Sequence, residues 1–384
     1  MTHDVAVVGA GPVGATLALA LRETGLDLVV LDGRSAGAPA RDRALALSHG
    51  ARLILERLGV WTALGAVDGA ATPIAAIDIS QARGFGSVRL DAREQGLPAL
   101  GYVVSYRALQ HALDDGLTDA RIGVRFECAA RSVSGRPGAA VIDIGEANHA
   151  TLRTRLAVVA DGAASAVQGI ARQRHDYGQV AVVAEVTMDR AHGGVAFERF
   201  TSAGPIALLP QRDGYTLVWT QAPAAAAATM AMPDADFVAS LATHFGSRVT
   251  GFTGVRERRS FPLSLEIART TTTERVVVIG NAAQALHPIA GQGFNLGLRD
   301  AFELASVIID TPRSALGTAA MLERYRAGRE FDRRAGIAFT HGLVHLFGTD
   351  RSWLRIPRGA GMLLLDALPF AKRAFTRAML FGLR

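Results

Sequence analysis

A single cysteine, Cys128, stands in 384 residues. That excludes an intrachain disulfide framework, a multi-cysteine metal site and a paired-thiol redox centre, and it fits a reducing, cytoplasmic setting. Long apolar runs are missing as well: stretches such as 361–365 are cut by charge or proline within a few residues. They fall far short of the ~20 residues needed to cross a bilayer. Residues 1–4 lead directly into an apolar strand pattern without the basic flank and cleavage site of a signal peptide. Acidic charge is scarce in one region only. Between 351 and 384, Asp366 faces seven basic residues (Arg351, Arg355, Arg358, Lys372, Arg373, Arg377 and Arg384), so the formal charge of +6 lies in the tail. By subtraction residues 1–350 carry 34 basic and 34 acidic side chains. A neutral body without base-stacking motifs argues against nucleic acid as a partner. There is no second G-x-G-x-x-G, no C-x-x-C, no H-E-x-x-H, no P-loop and no G-x-S-x-G. The disulfide reductases, zinc hydrolases, nucleotide triphosphatases and serine hydrolases are thereby disfavoured, and no metal is expected.

What is present is a chain of 49% hydrophobic content, enough for one elaborate domain or two interleaved ones. A β-branched run at 4–8, a glycine turn, helical spacing at 15–22 and a second apolar run at 28–31 read as a βαβ unit. Residues 45–64 read as helix, with Leu47, Ile54, Leu55 and Leu58 on one face; from 74 to 90 the pattern turns to strand alternation. A helix is expected at 106–117, strands through 157–160, at 179–187 and within 206–221, then a strand at 276–279 and a helix at about 296–309. The Ala-rich stretch 223–232 reads as helix or as surface loop. The last segment reads as amphipathic helix broken at Pro369.

Gly9-Ala10-Gly11-Pro12-Val13-Gly14 follows the first strand and opens the first helix, the context a dinucleotide fingerprint requires. Gly9 permits the turn, Gly11 lets a pyrophosphate approach the backbone with Pro12 beside it, and Gly14 lets helix and strand pack. Free N–H groups and the helix dipole then meet the anion. Asp32 ends the second strand, placed for an adenosine ribose. These residues do not separate FAD from NAD, since both carry adenosine diphosphate.

Further segments make that distinction by resemblance. Asp42-Arg43-Ala44-Leu45-Ala46-Leu47-Ser48, Arg107 in Tyr106-Arg107-Ala108-Leu109, Ala160-Asp161-Gly162-Ala163-Ala164-Ser165, and the run from Gly280 through Asn281, His287, Pro288, Gly291, Gln292, Gly293, Phe294 and Asn295 to Asp300 carry it. Together they resemble the FAD-dependent hydroxylases of ubiquinone biosynthesis, within the p-hydroxybenzoate hydroxylase superfamily. Segments 77–81, 84–86, 99–104, 176–179, 196–200 and 204–210 extend the resemblance over most of the chain, and look most like the members acting on 2-polyprenyl-6-methoxyphenol at ring carbon 1. The resemblance implies an α/β Rossmann-like FAD-binding fold with an interleaved mixed β-sheet substrate domain and C-terminal helices. It implies FAD-binding parts at 1–72, 101–170 and 271–340, substrate-domain parts at 73–100 and 171–270, and a helical segment at 341–384. It assigns Arg43 to the pyrophosphate, Arg107 to the cofactor, and Asp161 to the space between FAD and a visiting NAD(P)H. Where the wider superfamily has Asp after the first glycine of the last motif, this chain has Asn281, which can bond a ribityl hydroxyl without charge. Gly291, Gly293 and Gly297 read as places where backbone meets a flat ring, with a helix starting near Asn295 aimed at it.

The activity so implied is hydroxylation of a polyprenylated phenol with NAD(P)H and O2, with Pro288, Gly291 and Gln292 positioning the flavin side of the site. His287 has two readings, an acid/base group or a structural histidine. The basic, Leu-rich tail also has two, a membrane-surface contact that gives access to a lipid substrate or a helix pair packed on the body. Other proteins of ubiquinone biosynthesis are further candidate partners. The rival activities are a sister hydroxylase acting at another ring carbon and an O2-independent flavoprotein reductase.

Overall fold

The computed structural model describes residues 2–38, 42–82, 84–145, 150–348 and 352–383. Met1 and the two arginines that bound the basic tail, Arg351 and Arg384, lie outside them. One sheet is built around Thr2–Val8, which pairs in parallel with Thr151–Val159 on one side and Leu28–Leu31 on the other. Leu28–Leu31 continues to Val124–Arg125, and Thr151–Val159 to Val276–Val278, both in parallel. Parallel strands covered on both faces need apolar residues at successive positions, and Val5 to Val8 and Leu156 to Val159 are buried without alternation. Helices Pro12–Ala20, Tyr106–Asp119 and Gln292–Ile309 contribute to the core over one face. At the carboxyl ends of four of these parallel strands sit Gly9, Asp32, Ala160 with Asp161, and Ile279 with Gly280. This is where an open α/β sheet binds its ligand.

The second sheet has eight strands, in the order Gln284–Ala285, Phe252–Ala268, Arg172–Met188, Gly214–Gln221, Gly204–Gln211, Val195–Thr201, Ala76–Gln81 and Ser87–Asp91. One face buries Val182, Leu208, Leu217 and Trp219 against Phe237 and Leu241 of the helix Asp234–Phe245. Alternation sends the intervening residues to the opposite face, which looks towards the first sheet's last motif and the C-terminal helices. The Ala-rich stretch is the helix Pro223–Ala231.

Two expectations need correction. Residues 44–48 are not helical: Ala44–Ser48 pairs with Gly101–Ser105, which also pairs with Ala71–Ile74, in a separate three-stranded sheet. The leucines matched a helical face, yet the alternation Ala-Leu-Ala-Leu equally suits a strand, and a partner strand was at hand. Ser48 then caps the helix His49–Arg57 by accepting from Ala51 N–H, and Gly59 at φ +81° separates it from the helix Val60–Gly65. The late helix begins at Gln292, a turn earlier than expected, because Gly291 takes a left-handed conformation at φ +60°. The tail forms the helices Arg355–Ala367 and Pro369–Phe381, parted before Pro369.

Candidate active site

A polar cavity of about 1110 Å³ runs along the strand ends. Gly9, Gly11, Pro12, Asp32, Arg43, Arg107, Asp161, Gly280, Asn281, Gly293 and Phe294 all line it. Its glycines have distinct duties. A Cβ at Gly9 would sit 2.8 Å from Ala160 and Asp161 backbone, and one at Gly14 would collide with the Gly9 carbonyl, so these two fix strand and helix against each other. A Cβ at Gly11 would meet nothing within 4 Å: this is the open floor of the cradle, below the helix N-terminus. Gly297 packs rather than receives a ring, since a Cβ there would come 3.0 Å from Val13 and 3.1 Å from Gly280.

The polar walls are held by carboxylates that accept from backbone. Asp32 accepts from Ala10 N–H at 2.6 Å and Arg34 N–H at 2.8 Å, which closes the turn and leaves lone pairs towards the cavity. Asp42 accepts from Arg43 N–H at 2.9 Å, Ser105 hydroxyl at 2.8 Å and Arg107 N–H at 3.2 Å, so one carboxylate sets the positions of both arginines. The Arg43 guanidinium lies 4.5 Å from the Tyr106 ring centre. Asp161 accepts from Ala163 N–H at 3.0 Å and Ser165 N–H at 2.8 Å across a loop with positive φ at Gly162 and Ala163. Sequence reasoning passed over Arg34 and Gln110. Arg34 is held by both oxygens of Asp114 at 2.7 and 2.5 Å, and Gln110 donates to Ala10 carbonyl and Asp114, each at 2.9 Å. No local motif marks them; only the fold brings the helix Tyr106–Asp119 alongside the fingerprint turn. A phosphate-rich dinucleotide fits this cavity, with open floor at Gly11, cations at Arg43 and Arg107 and a carboxylate at Asp32.

Residues 288–297 form the partition between this cradle and a second cavity. Pro288, Gly291, Gln292 and Asn295 line the second, while Gly293, Phe294 and Gly297 line the first. Asn295 is fully engaged: it accepts from Ser48 N–H at 2.9 Å and donates to Ala46 and Gly291 carbonyls at 3.1 and 2.8 Å. It therefore ties the partition to the strand Ala44–Ser48. His287 is 1% exposed, accepts from Ile289 N–H at 3.2 Å and lines neither cavity. Burial pushes its pKa down to about 4, which favours the neutral ring, and its Nδ1 is taken up by the loop's own backbone. Asp300, the last residue of the motif, accepts from Gly280 N–H at 3.2 Å, Gln284 at 2.6 Å and Arg329 at 2.9 Å. Arg329 also reaches Asp332, and Arg333 bonds Gln284 and the Ala268 carbonyl. This buried network fastens the Gly280 loop to the helix Ala319–Phe347.

The second cavity, about 460 Å³, is apolar. Ile77, Ile79, Ala196, Phe200, Ala207 and Leu209 form its sheet wall, and Phe339 and Leu343 come from the long helix. Met362, Leu365, Phe375 and Leu380 of the two C-terminal helices complete it. The tail thus packs on the body as a wall of this chamber. It also presents apolar side chains outwards, with Ile356, Leu364 and Phe370 exposed, the last at 87%.

The FAD-binding domain family matches residues 2–335. A ubiquinone hydroxylase of Rhodospirillum rubrum is 35% identical over 97% of this chain and 88% of its own length. The 3-demethoxyubiquinol 3-hydroxylase of Escherichia coli is 30% identical over 96% of this chain and 98% of its own. Among solved structures, p-nitrophenol 4-monooxygenase of Pseudomonas putida superposes with a TM-score of 0.78 at 19% identity, covering 100% of this chain and 99% of that one, a likeness that bears on the fold. With a dinucleotide cradle and an apolar chamber on either side of one glycine-rich partition, the chain belongs to the FAD-binding domain family and, within it, to the FAD-dependent hydroxylases of ubiquinone biosynthesis, monooxygenases with NAD(P)H as co-substrate.

Proposed function

We propose that the protein hydroxylates the aromatic ring of a polyprenylated phenol, 2-polyprenyl-6-methoxyphenol at ring carbon 1. The observation that carries this reading is the apolar chamber directly behind residues 288–295, walled by aliphatic and aromatic side chains from the second sheet and the tail. Such a lining suits a methoxyphenol and the first units of its prenyl chain and offers little to a charged substrate. Bound FAD, reduced by NAD(P)H, supplies the activated oxygen. The residues of this chain bind and aim: Gly11 with Pro12 would receive the pyrophosphate on the turn that Gly9 and Gly14 keep tight, Asp32 would take the ribose, and Arg43 and Arg107 would neutralise phosphate charge. Asp161 borders the space for the nicotinamide, and Asn281 faces the ribityl chain. Pro288, Gly291 and Gln292 hold the ring edge at the chamber, and the apolar walls keep water from the reactive oxygen. In the same proposal, 1–72, 101–170 and 271–340 serve the cofactor, 73–100 and 171–270 the substrate, and 341–384 the chamber's outer wall.

The outward apolar residues of the tail, beside Arg355, Arg373 and Arg377, fit a peripheral contact with a lipid surface, from which a water-insoluble substrate would be drawn. No helix among the described residues is long and apolar enough to cross a membrane. The name of the Escherichia coli relative favours a second reading, hydroxylation at another carbon of the same ring. Mass spectrometry of the quinone precursor accumulating in cells that lack the protein tests both: the 2-polyprenyl-6-methoxyphenol mass supports the first, and a precursor already oxygenated at carbon 1 overturns it.

A further inference from the structure

The strand Val195–Thr201 places one carboxylate in the middle of the chamber's apolar wall. Glu198 lies opposite Ile79 on the strand Ala76–Gln81 and opposite Ala207 on Gly204–Gln211, and all three line the chamber. Its neighbours on that face, Ala196, Phe200, Ile77 and Leu209, line it too. Phe200, two residues on, packs against Ile289 of the partition, so this wall adjoins the flavin side of the site. Glu198 has no hydrogen-bond or ion-pair partner among the described residues. We propose, on the phenol reading above, that Glu198 accepts the hydroxyl proton of the substrate ring.

Removing a lone carboxylate from water is costly, and an apolar sheet face gives no structural reason to retain one. Burial alone pushes the Glu198 pKa up to about 7, matched to a base working near neutrality. The other charged groups nearby do not quench it. Arg199 and Asp78 alternate to the opposite face, where Arg199 bonds Ser80 and Asp78 pairs with Arg248. The long helix contributes Phe339, Leu343, Leu346 and Phe347, none of them titratable, and the strand Gly214–Gln221 contributes Val218 and Thr220. Lys372 of the last helix is bound to Glu94 and Asp366. Arg358, beside the Phe347 ring, is the one other charged residue lining the chamber among those described.

The step balances. The phenol O–H bond breaks, its electron pair flows into the ring, and the proton goes to Glu198. The carbon so enriched takes one atom of O2 and loses its own proton as aromaticity returns. The second oxygen atom leaves as water: the proton on Glu198 returns to the ring oxygen, and the ring carbon's proton, one hydrogen delivered with the two electrons of NAD(P)H and one proton from solvent complete the new hydroxyl and the water.

The test uses the FAD-loaded full chain with 2-farnesyl-6-methoxyphenol, following NAD(P)H consumption, hydroxylated product and H2O2 across pH. In the wild type, product formation rises as pH passes about 7. Glu198→Gln is expected to lose roughly 100-fold of product formation near neutrality, while NAD(P)H oxidation continues and diverts to H2O2. Its product recovers as pH approaches the phenol's own pKa of ~10, where solvent supplies the phenolate. Glu198→Asp keeps a pH limb and a partial rate, and carries the test if the Gln variant fails to hold flavin. A Gln or Asp variant matching the wild type in product and pH profile overturns the proposal. A wild type that makes no hydroxylated phenol overturns the substrate reading and the proposal with it.

Discussion

The cradle and the chamber share one wall and are built on opposite principles. The cradle is made of backbone: glycines that leave room, N–H groups at a helix start, and carboxylates such as Asp32, Asp42 and Asp161 that accept from the main chain and keep loops in place. The chamber is made of side chains, drawn from a sheet face, the long helix and two helices at the far end of the sequence. A phosphate-bearing cofactor is recognised by fixed dipoles, and a greasy ring by shape and the exclusion of water. The partition 288–297 belongs to both, and the buried network behind it keeps the two registered.

Breaking that registration has the largest expected effect. Arg329→Ala leaves Asp300 and Asp332 buried with a lost partner, and should cost about 3–5 kcal/mol of stability by denaturant titration, with flavin released in the same transition. A loss under about 1 kcal/mol would mean that the network does not hold the two halves together.

Glu198 sharpens the contrast from the chamber side. Its folded pKa of about 7 stands above the ordinary glutamate value of 4.5, so its favourable contribution is fully present below pH 4.5 and is lost as pH rises through 7. Glu198→Gln should therefore gain up to about 3 kcal/mol over the wild type at pH 8, and nothing at pH 4. A pH-independent difference in stability curves would contradict the burial of that carboxylate.

Much of the cradle was legible in sequence because its parts are contiguous. Gly9 to Gly14 and Gly280 to Asp300 are contiguous motifs, and each begins at the end of a parallel strand and runs into a helix. Arg34 and Gln110 were not legible, since their role depends on a helix brought in from 80 residues away. The segment 44–48 misled because a short alternation of Leu and Ala satisfies helical and strand periods alike. The chamber was nearly invisible: its lining combines every second residue of several strands with a tail whose amphipathic pattern says only that one face is covered. Glu198 sat in a segment identified by resemblance, and its role depends on neighbours on three strands that no linear pattern assembles.

Smaller effects separate the two regions further. Gly11→Val has open space at its Cβ and should leave stability unchanged while weakening FAD binding at least ~10-fold, measured by flavin retention on dilution. Equal FAD affinity would show that the pyrophosphate does not use this floor. Phe370→Ser, at the outer face of the tail, should leave FAD binding and stability intact and reduce co-sedimentation with anionic vesicles by roughly 10-fold. Unchanged sedimentation, in this variant and in a chain ending before residue 351, would remove the tail from lipid contact.

The most direct measurement of the central claim is the visible spectrum of the purified full chain, before and after addition of 2-farnesyl-6-methoxyphenol. A yellow protein with FAD bound to each chain, whose flavin bands shift as the phenol saturates the chamber, is the predicted result. A colourless protein that takes up no FAD, or a flavin whose spectrum is indifferent to a phenol shown to bind, would contradict a shared wall between cofactor and substrate.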